Sequence, residues 1–153
     1  MSRVALDTNV LAYMAGVRHG PEDDAKIERS RRIVDDIGRK TTLIAPTQAL
    51  GELFVVLRRS GWSASDARGI VTRYAQGLAP AGSQPGTLLA ALDLAAEHRF
   101  QFWDALIVSA AADAGCAVLL SEDMQDGFVV RGLTIADPFA DEPAPKLAEL
   151  LRP

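Results

Sequence analysis

The sequence predicts an α/β fold: a central parallel sheet covered by helices on both faces, with layers in the order α/β/α. Three observations point there. Short apolar runs at residues 3–6, 41–45 and 116–120 are separated by long stretches with apolar residues at helical spacing. No run alternates polar with apolar residues, as a sheet with one wet face does. The first and third runs stop at acids, Asp7 and the Asp123 of Ser121-Glu122-Asp123, and such sheets carry their functional groups beyond the carboxyl ends of the strands.

Each element has its own signal. Residues 3–6 form the first strand, and residues 8–16 a helix with Val10, Leu11, Met14 and Val17 on one face. Pro21 suits the first turn of a second helix, where Glu22, Asp23 and Asp24 complement the positive end of the macrodipole. That helix reaches about Ile37, and residues 41–45 form the second strand. Pro46-Thr47 opens a helix to Arg59 with a broad apolar surface (Leu50, Leu53, Phe54, Val56, Leu57), ended by Gly61. Ser63 is positioned to cap the next helix, with Asp66 in the capping-box place. Residues 78–79 are a brief strand candidate and 87–98 a helix. Trp103-Asp104-Ala105-Leu106-Ile107 then begins an alanine-rich buried helix, Gly115 punctuates it, and residues 116–120 form a fully buried strand. Short strands follow at 129–130 and 133–135, and Asp137-Pro138-Phe139 closes a single domain over 1–139. Residues 140–153, with three prolines, are expected to be a peripheral tail holding a short amphipathic segment at 146–151.

Composition narrows the function. At 48% hydrophobic and 24% charged, the 153 residues describe a folded globular chain. No apolar run approaches the roughly 20 residues that span a bilayer, and the start MSRVALDTN lacks the apolar segment of a signal peptide. The single cysteine, Cys116, lies in an apolar strand and reads as a small core residue. The expectation is a cytoplasmic protein without membrane association. A net charge of −4 argues against gripping nucleic acid by bulk charge, though not against a local patch. Of the cations, 13 are arginines, which fork onto phosphate and stack on bases, and three are lysines, Lys26, Lys40 and Lys146.

The acids at element ends carry the chemical argument, and each has a bland alternative. Asp7 suits a helix cap, a task that Thr8 or Asn9 performs equally. Asp104 lies in the first turn of a helix, where the macrodipole favours an acid. Asp123 sits in a turn before a glycine, and Asp126 is either an outer group of the same site or part of that turn. Glu52 falls between Val55 and Val56 on the helical wheel, company in which a carboxylate is costly without a cation or a proton. An ion pair with Arg59, two turns on, is the structural alternative. His19 and His98 read as solvated. Strand-end placement brings Asp7 and Asp123 together, and a metal ion is what such acids would hold.

Four blocks then match something specific. Leu6-Asp7-Thr8-Asn9-Val10-Leu11, Gln48-Ala49-Leu50-Gly51-Glu52-Leu53, Phe102-Trp103-Asp104-Ala105-Leu106-Ile107 and Leu120-Ser121-Glu122-Asp123-Met124-Gln125-Asp126-Gly127 resemble the PIN domain. More narrowly they resemble the toxin subunit of VapBC-type toxin–antitoxin pairs. The resemblance covers nearly the whole chain and implies a parallel sheet between two helical layers. It also implies a nuclease site in which Asp7, Glu52, Asp104 and Asp123 are the metal ligands and Thr8 and Ser121 their hydroxyl neighbours. Asp137-Pro138-Phe139 stands where the family often has Asn-Pro-Phe.

Oxygen-only ligands suit Mg²⁺, with Mn²⁺ able to substitute. The expected reaction is endonucleolytic hydrolysis of RNA by a metal-activated water, leaving a 5′-phosphate and a 3′-hydroxyl. Asp7 and Asp104 would be the main ligands, with Glu52 and Asp123 completing the site. Arg58, Arg59, Arg68 and Arg73 are candidate phosphate contacts. The resemblance implies tRNA or ribosomal RNA loops as substrate, a homodimer, and silencing by a cognate antitoxin. Two rival readings are weaker. Aspartyl-phosphate phosphatases and receivers want a lysine near the phosphate, and the phosphatases want Asp where Asn9 stands. A catalytically inactive RNA- or partner-binding module predicts the loss of at least one of the four acids.

Overall fold

The computed structural model describes all 153 residues. Six strands form one sheet: β1 (Arg3–Leu6), β2 (Thr42–Pro46), β3 (Ala79–Ala81), β4 (Val118–Leu120), β5 (Val129–Val130) and β6 (Leu133–Ala136). Their order is β3-β2-β1-β4-β6-β5, parallel throughout except for β5, which pairs antiparallel with β6 at the edge. Seven helices complete the chain: α1 (Thr8–Ala15), α2 (Asp23–Gly38), α3 (Thr47–Arg59), α4 (Ala64–Gly77), α5 (Pro85–His98), α6 (Phe102–Asp113) and α7 (Pro145–Leu150).

The order of strands locates the site. From β1 the chain steps outward to β2 and β3, then returns to the other side of β1 for β4. The order in which the chain adds strands reverses between β1 and β4, which stay parallel, and such a switch point leaves a crevice at the carboxyl ends of the two strands. Register sharpens this. Leu6 pairs with Leu120, so the next residues, Asp7 and Ser121, emerge side by side. The Asp7 amide donates to the Leu120 carbonyl at 3.0 Å.

Val4, Ala5, Leu6, Val118, Leu119 and Leu120 are all fully buried. Consecutive buried positions in a strand mean that both faces are covered, which is why the sequence shows continuous apolar runs there. α6 has the same cause: every residue from Ala105 to Ala111 is buried, and a helix apolar all round belongs in a core. It packs on α5, α3 and β2. Gly115 ends it with φ +75°, a left-handed turn that favours glycine.

Several boundaries differ from the sequence expectation. α2 begins at Asp23, two residues beyond Pro21, because the 20–22 segment forms a turn in which the Asp23 amide donates to the Gly20 carbonyl. β3 is Ala79–Ala81 rather than 78–79, set by pairing with Ile44 to Pro46. The C-terminal segment departs more. Leu147 on α7 is fully buried and belongs to the core cluster, with Ala144 beside it. Lys40 Nζ donates to the Leu150 and Arg152 carbonyls. The helical part of 140–153 is therefore packed on the domain rather than peripheral to it. The alternation Leu147, Leu150, Leu151 is too short for its buried face to be told from a surface one by pattern alone.

Candidate active site

All four sequence-nominated acids line one cleft of about 520 Å³ at the switch point. Asp7 arrives from the end of β1, Glu52 from the second turn of α3, Asp104 from the first turn of α6 and Asp123 from the loop after β4. Thr8, Asn9, Tyr13 and Glu122 contribute to the same wall.

Asp7 both caps α1 and faces the cleft, so the two sequence readings hold at once. Its Oδ1 accepts the Thr8 amide at 2.7 Å, and its Oδ2 accepts the Ser121 hydroxyl at 2.7 Å. Only 4% of the residue is exposed. Burial raises its pKa to about 6 against the lowering effect of the Ser121 and Thr8 bonds, and the charges of Asp104 and Glu52 raise it further. Glu52 is held by Thr8, whose hydroxyl donates to Oε2 at 2.8 Å, and more loosely by Gln48 at 3.3 Å. Thr8 and Ser121 thus do what their places in the motif imply: each orients one carboxylate.

Asp104 has no such donor. Its carboxyl is pushed up by burial first, then by the charges of Glu52 and Asp123. Asp7, Glu52 and Asp104 repel one another, and Asp104 also feels Asp123. This is a half-buried carboxylate with two anionic neighbours and nothing positive to satisfy it. The donor set is all oxygen, the preference of a hard divalent cation over zinc. As the side chains are turned here, no three acids close on a single point: Asp7, Glu52 and Asp123 each face a protein donor. The residues therefore fit such an ion by chemistry and by shared cleft, and each carboxylate keeps lone pairs beyond those its donors use.

Asn9 is the residue that sequence reasoning undervalued. Its Nδ2 donates to Asp123 Oδ2 at 3.1 Å and reaches Asp7 Oδ2 at 3.4 Å, while its Oδ1 accepts the Glu122 amide at 3.2 Å. One amide side chain thus ties the loop after β4 to the first turn of α1. In the sequence it showed only as an alternative cap. Glu122 was missed as well. It accepts from the Tyr13 hydroxyl at 2.9 Å and pairs with Lys26 Nζ at 2.6 Å. Lys26 stands over the Tyr13 and Phe139 rings, which meet edge to face. No sequence spacing links α1, α2, the loop after β4 and the Phe139 turn, so this brace had no local signal.

The four arginines separate. Arg59 lines the cleft one helical stripe along from Glu52, Val55 and Val56. It makes no ion pair with Glu52, whose carboxylate is taken by Thr8 and Gln48. Val55 is 44% exposed, so this stripe is a cleft wall rather than core, which lowers the desolvation argument made for Glu52. Arg58 turns back on Trp62, donating to its carbonyl at 2.8 Å. Arg68 and Arg73 are exposed on α4 and do not line the cleft. A contact from α4 was expected because it follows α3 in sequence, but neither of its arginines reaches the mouth. His19 is exposed, as expected, and sits on the cleft rim. Asp126 accepts the Asp137 amide at 2.9 Å, a tie to the segment after β6, and it lines neither cleft. Asp137 in turn accepts the Phe139 amide at 2.8 Å, a bond an asparagine there would make equally.

Residues 4–126 match the PIN domain. The chain belongs to the PIN domain family. This PIN domain also resembles solved structures at low identity. With the Mycobacterium tuberculosis toxin VapC20, described as cleaving the sarcin-ricin loop, the TM-score is 0.58 at 16% identity, over 76% of this chain and 86% of that one. With VapBC2 from Rickettsia felis, solved bound to a promoter DNA fragment, it is 0.61 at 15% identity, over 79% and 88%. With a toxin–antitoxin complex from Klebsiella pneumoniae it is 0.64 at 13% identity, over 89% and 98%. At such identities the likeness is one of fold. No curated protein matches in sequence. No helix of this PIN domain is long and apolar enough to cross a membrane. Lys26 is paired with Glu122, and no lysine lines the cleft, so the lysine that the aspartyl-phosphate reading wants is not there.

Proposed function

We propose that this PIN domain is a Mg²⁺-dependent endoribonuclease, with Mn²⁺ able to substitute, and the toxin of a toxin–antitoxin pair. The observation that carries the reading is the convergence of Asp7, Glu52, Asp104 and Asp123 on one cleft, with Asp104 left without a protein donor. Similarity in fold to a toxin named for cleaving the sarcin-ricin loop, and to toxin–antitoxin complexes, supports RNA as substrate and an antitoxin as partner. Ribosomal or transfer RNA loops are the substrate class, since splayed single-stranded segments expose their bases for stacking. A homodimer acting in the cytoplasm completes the proposal.

Asp7 and Asp104 are the principal ligands, with Glu52 and Asp123 completing the set. When bound, the cation supplies charge to the scissile phosphate and lowers the pKa of the attacking water. The chain's own work is orientation. Ser121 and Thr8 keep Asp7 ionised and fixed. Thr8 aims the Glu52 carboxylate, and Asn9 aims that of Asp123, so that one of the two accepts the proton of the attacking water. Hydrolysis leaves a 5′-phosphate and a 3′-hydroxyl and makes no demand on the 2′-hydroxyl.

Incubating total RNA with the purified chain in Mg²⁺, in EDTA, and with Asp7→Asn tests this, with end-mapping of the products. The expected result is discrete cleavage in Mg²⁺ alone. Cleavage surviving EDTA would overturn the metal mechanism, and no cleavage of any RNA would favour a binding module.

A further inference from the structure

A second cleft of about 490 Å³ shares Asp104 and Asp123 with the first. The two carboxylates are therefore a ridge between two hollows, not the floor of one. Beyond that ridge the linings differ in kind. The first hollow adds Asp7, Glu52 and Glu122, whereas the second adds no further carboxylate and instead carries Arg99, His98, Gln101 and Gln125. Both glutamines are exposed, and each offers an amide donor and acceptor of the kind that reads base edges.

Cation partners select the same place. Most cationic side chains of this chain are committed. Arg18, Arg32, Arg39, Arg131 and Lys26 pair with acids, and Arg3, Arg29, Arg31, Arg58 and Lys40 bond to carbonyls. Arg59, Arg68, Arg73, Arg99, Arg152 and Lys146 do neither, and of these only Arg59 and Arg99 line the two hollows, one on each side of the ridge. Arg99 is also held at φ +59° where α5 ends, a left-handed conformation that non-glycine residues adopt uncommonly. Its place is set by the turn into α6, the helix whose first turn bears Asp104.

We infer that the second cleft is an RNA subsite: it receives the nucleotide on the far side of the scissile phosphate from the Arg59 hollow, with Arg99 on its phosphate and Gln101 and Gln125 at its base. This rests on the nuclease reading, since the ridge is where that reading puts the cut. A polyanion crossing two carboxylates needs cationic holds on both sides, and the two uncommitted arginines of the clefts supply one each.

The test is binding of a fluorescein-labelled, mixed-sequence, single-stranded 12-mer RNA across a salt series, in an Asp7→Asn background that leaves the probe intact. Arg99→Gln is expected to weaken binding about five- to tenfold and to reduce the slope of log affinity against log salt by about 0.7, the loss of one phosphate contact on a single strand. Arg99→Lys should recover most of both. Arg32→Gln, an equal charge change at an exposed position of α2 that lines neither cleft, should leave both within about twofold, and melting curves confirm that all variants fold. Arg99→Gln behaving like Arg32→Gln overturns the subsite and leaves the cleft to a protein partner. Cleavage by the wild type, assayed in parallel, separates the two ideas. Absent cleavage with a lost Arg99 contact defeats the nuclease reading and keeps the RNA site, whereas cleavage with no Arg99 effect defeats the subsite alone.

Discussion

Replacing Asp7 by asparagine should make the metal-free protein more stable while abolishing cleavage. Asp7 is 4% exposed, and its pKa rises from 3.8 to about 6, chiefly through burial. That rise corresponds to about 3 kcal/mol against the ionised form in the fold. The folded chain holds this proton more tightly than the unfolded chain. The penalty is therefore absent at pH values below 3.8, grows as pH rises from 3.8 to about 6, and is complete above 6. Asparagine removes the charge but weakens the bonds from Ser121 and Thr8, which returns about 1 kcal/mol. A net gain of about 1 to 2 kcal/mol, or about 3 to 6 °C in Tm, is expected at pH 7.5 in EDTA, turning to a loss of less than about 1 kcal/mol at pH 4, where little of the charge penalty remains. Adding Mg²⁺ should raise the Tm of the wild type and leave that of Asp7→Asn unmoved, because an ion stabilises only the fold that binds it. The reasoning fails if Asp7→Asn is no more stable than wild type at pH 7.5 in EDTA, or if Mg²⁺ stabilises both equally.

Three other outcomes follow from the same geometry. Leu147→Ala should cost about 2 to 5 kcal/mol in urea unfolding, as for a fully buried core leucine; a loss below 1 kcal/mol would return α7 to the periphery. Glu122→Gln breaks the 2.6 Å pair with Lys26 and weakens the bond from Tyr13. Its partly exposed site limits the stability loss to about 1 kcal/mol, while cleavage should drop several-fold because Asp123 follows on the same loop; unchanged single-turnover rates would show that the brace does not hold the site. Asp137→Asn preserves the bond to the Phe139 amide, so unfolding free energy should change by less than about 0.5 kcal/mol, and a larger loss would mean that the Asp137 charge matters.

Much of the fold was legible because its signals are local. Apolar runs at β1, β2 and β4, helical spacing along α1 and α3, and the capping Ser63 each announce themselves within a few residues; the Asp66 amide does donate to Ser63 Oγ at 3.0 Å. The candidate acids were legible for a related reason. Asp7 and Asp123 stand at strand ends, and Glu52 stands in apolar company on its helix. The arginines were not, because two residues adjacent in sequence, Arg58 and Arg59, point a helical step apart: one folds back on Trp62 and the other faces the cleft.

By itself the sequence determined which segments become strand or helix and which carboxylates emerge where the strands stop, since continuous apolar runs, helical spacing and the acid after a run are all read within a few residues. Only the tertiary structure decided that β4 lies against β1, placing Ser121 on Asp7 across 114 positions of chain. It also decided that Asn9 clips α1 to the loop after β4, that Lys26 and Tyr13 brace Glu122, that Leu147 joins the core, and that Asp104 and Asp123 divide two hollows. Each of these is a contact between segments whose proximity is set by the order of strands in the sheet, and no local spacing encodes that order.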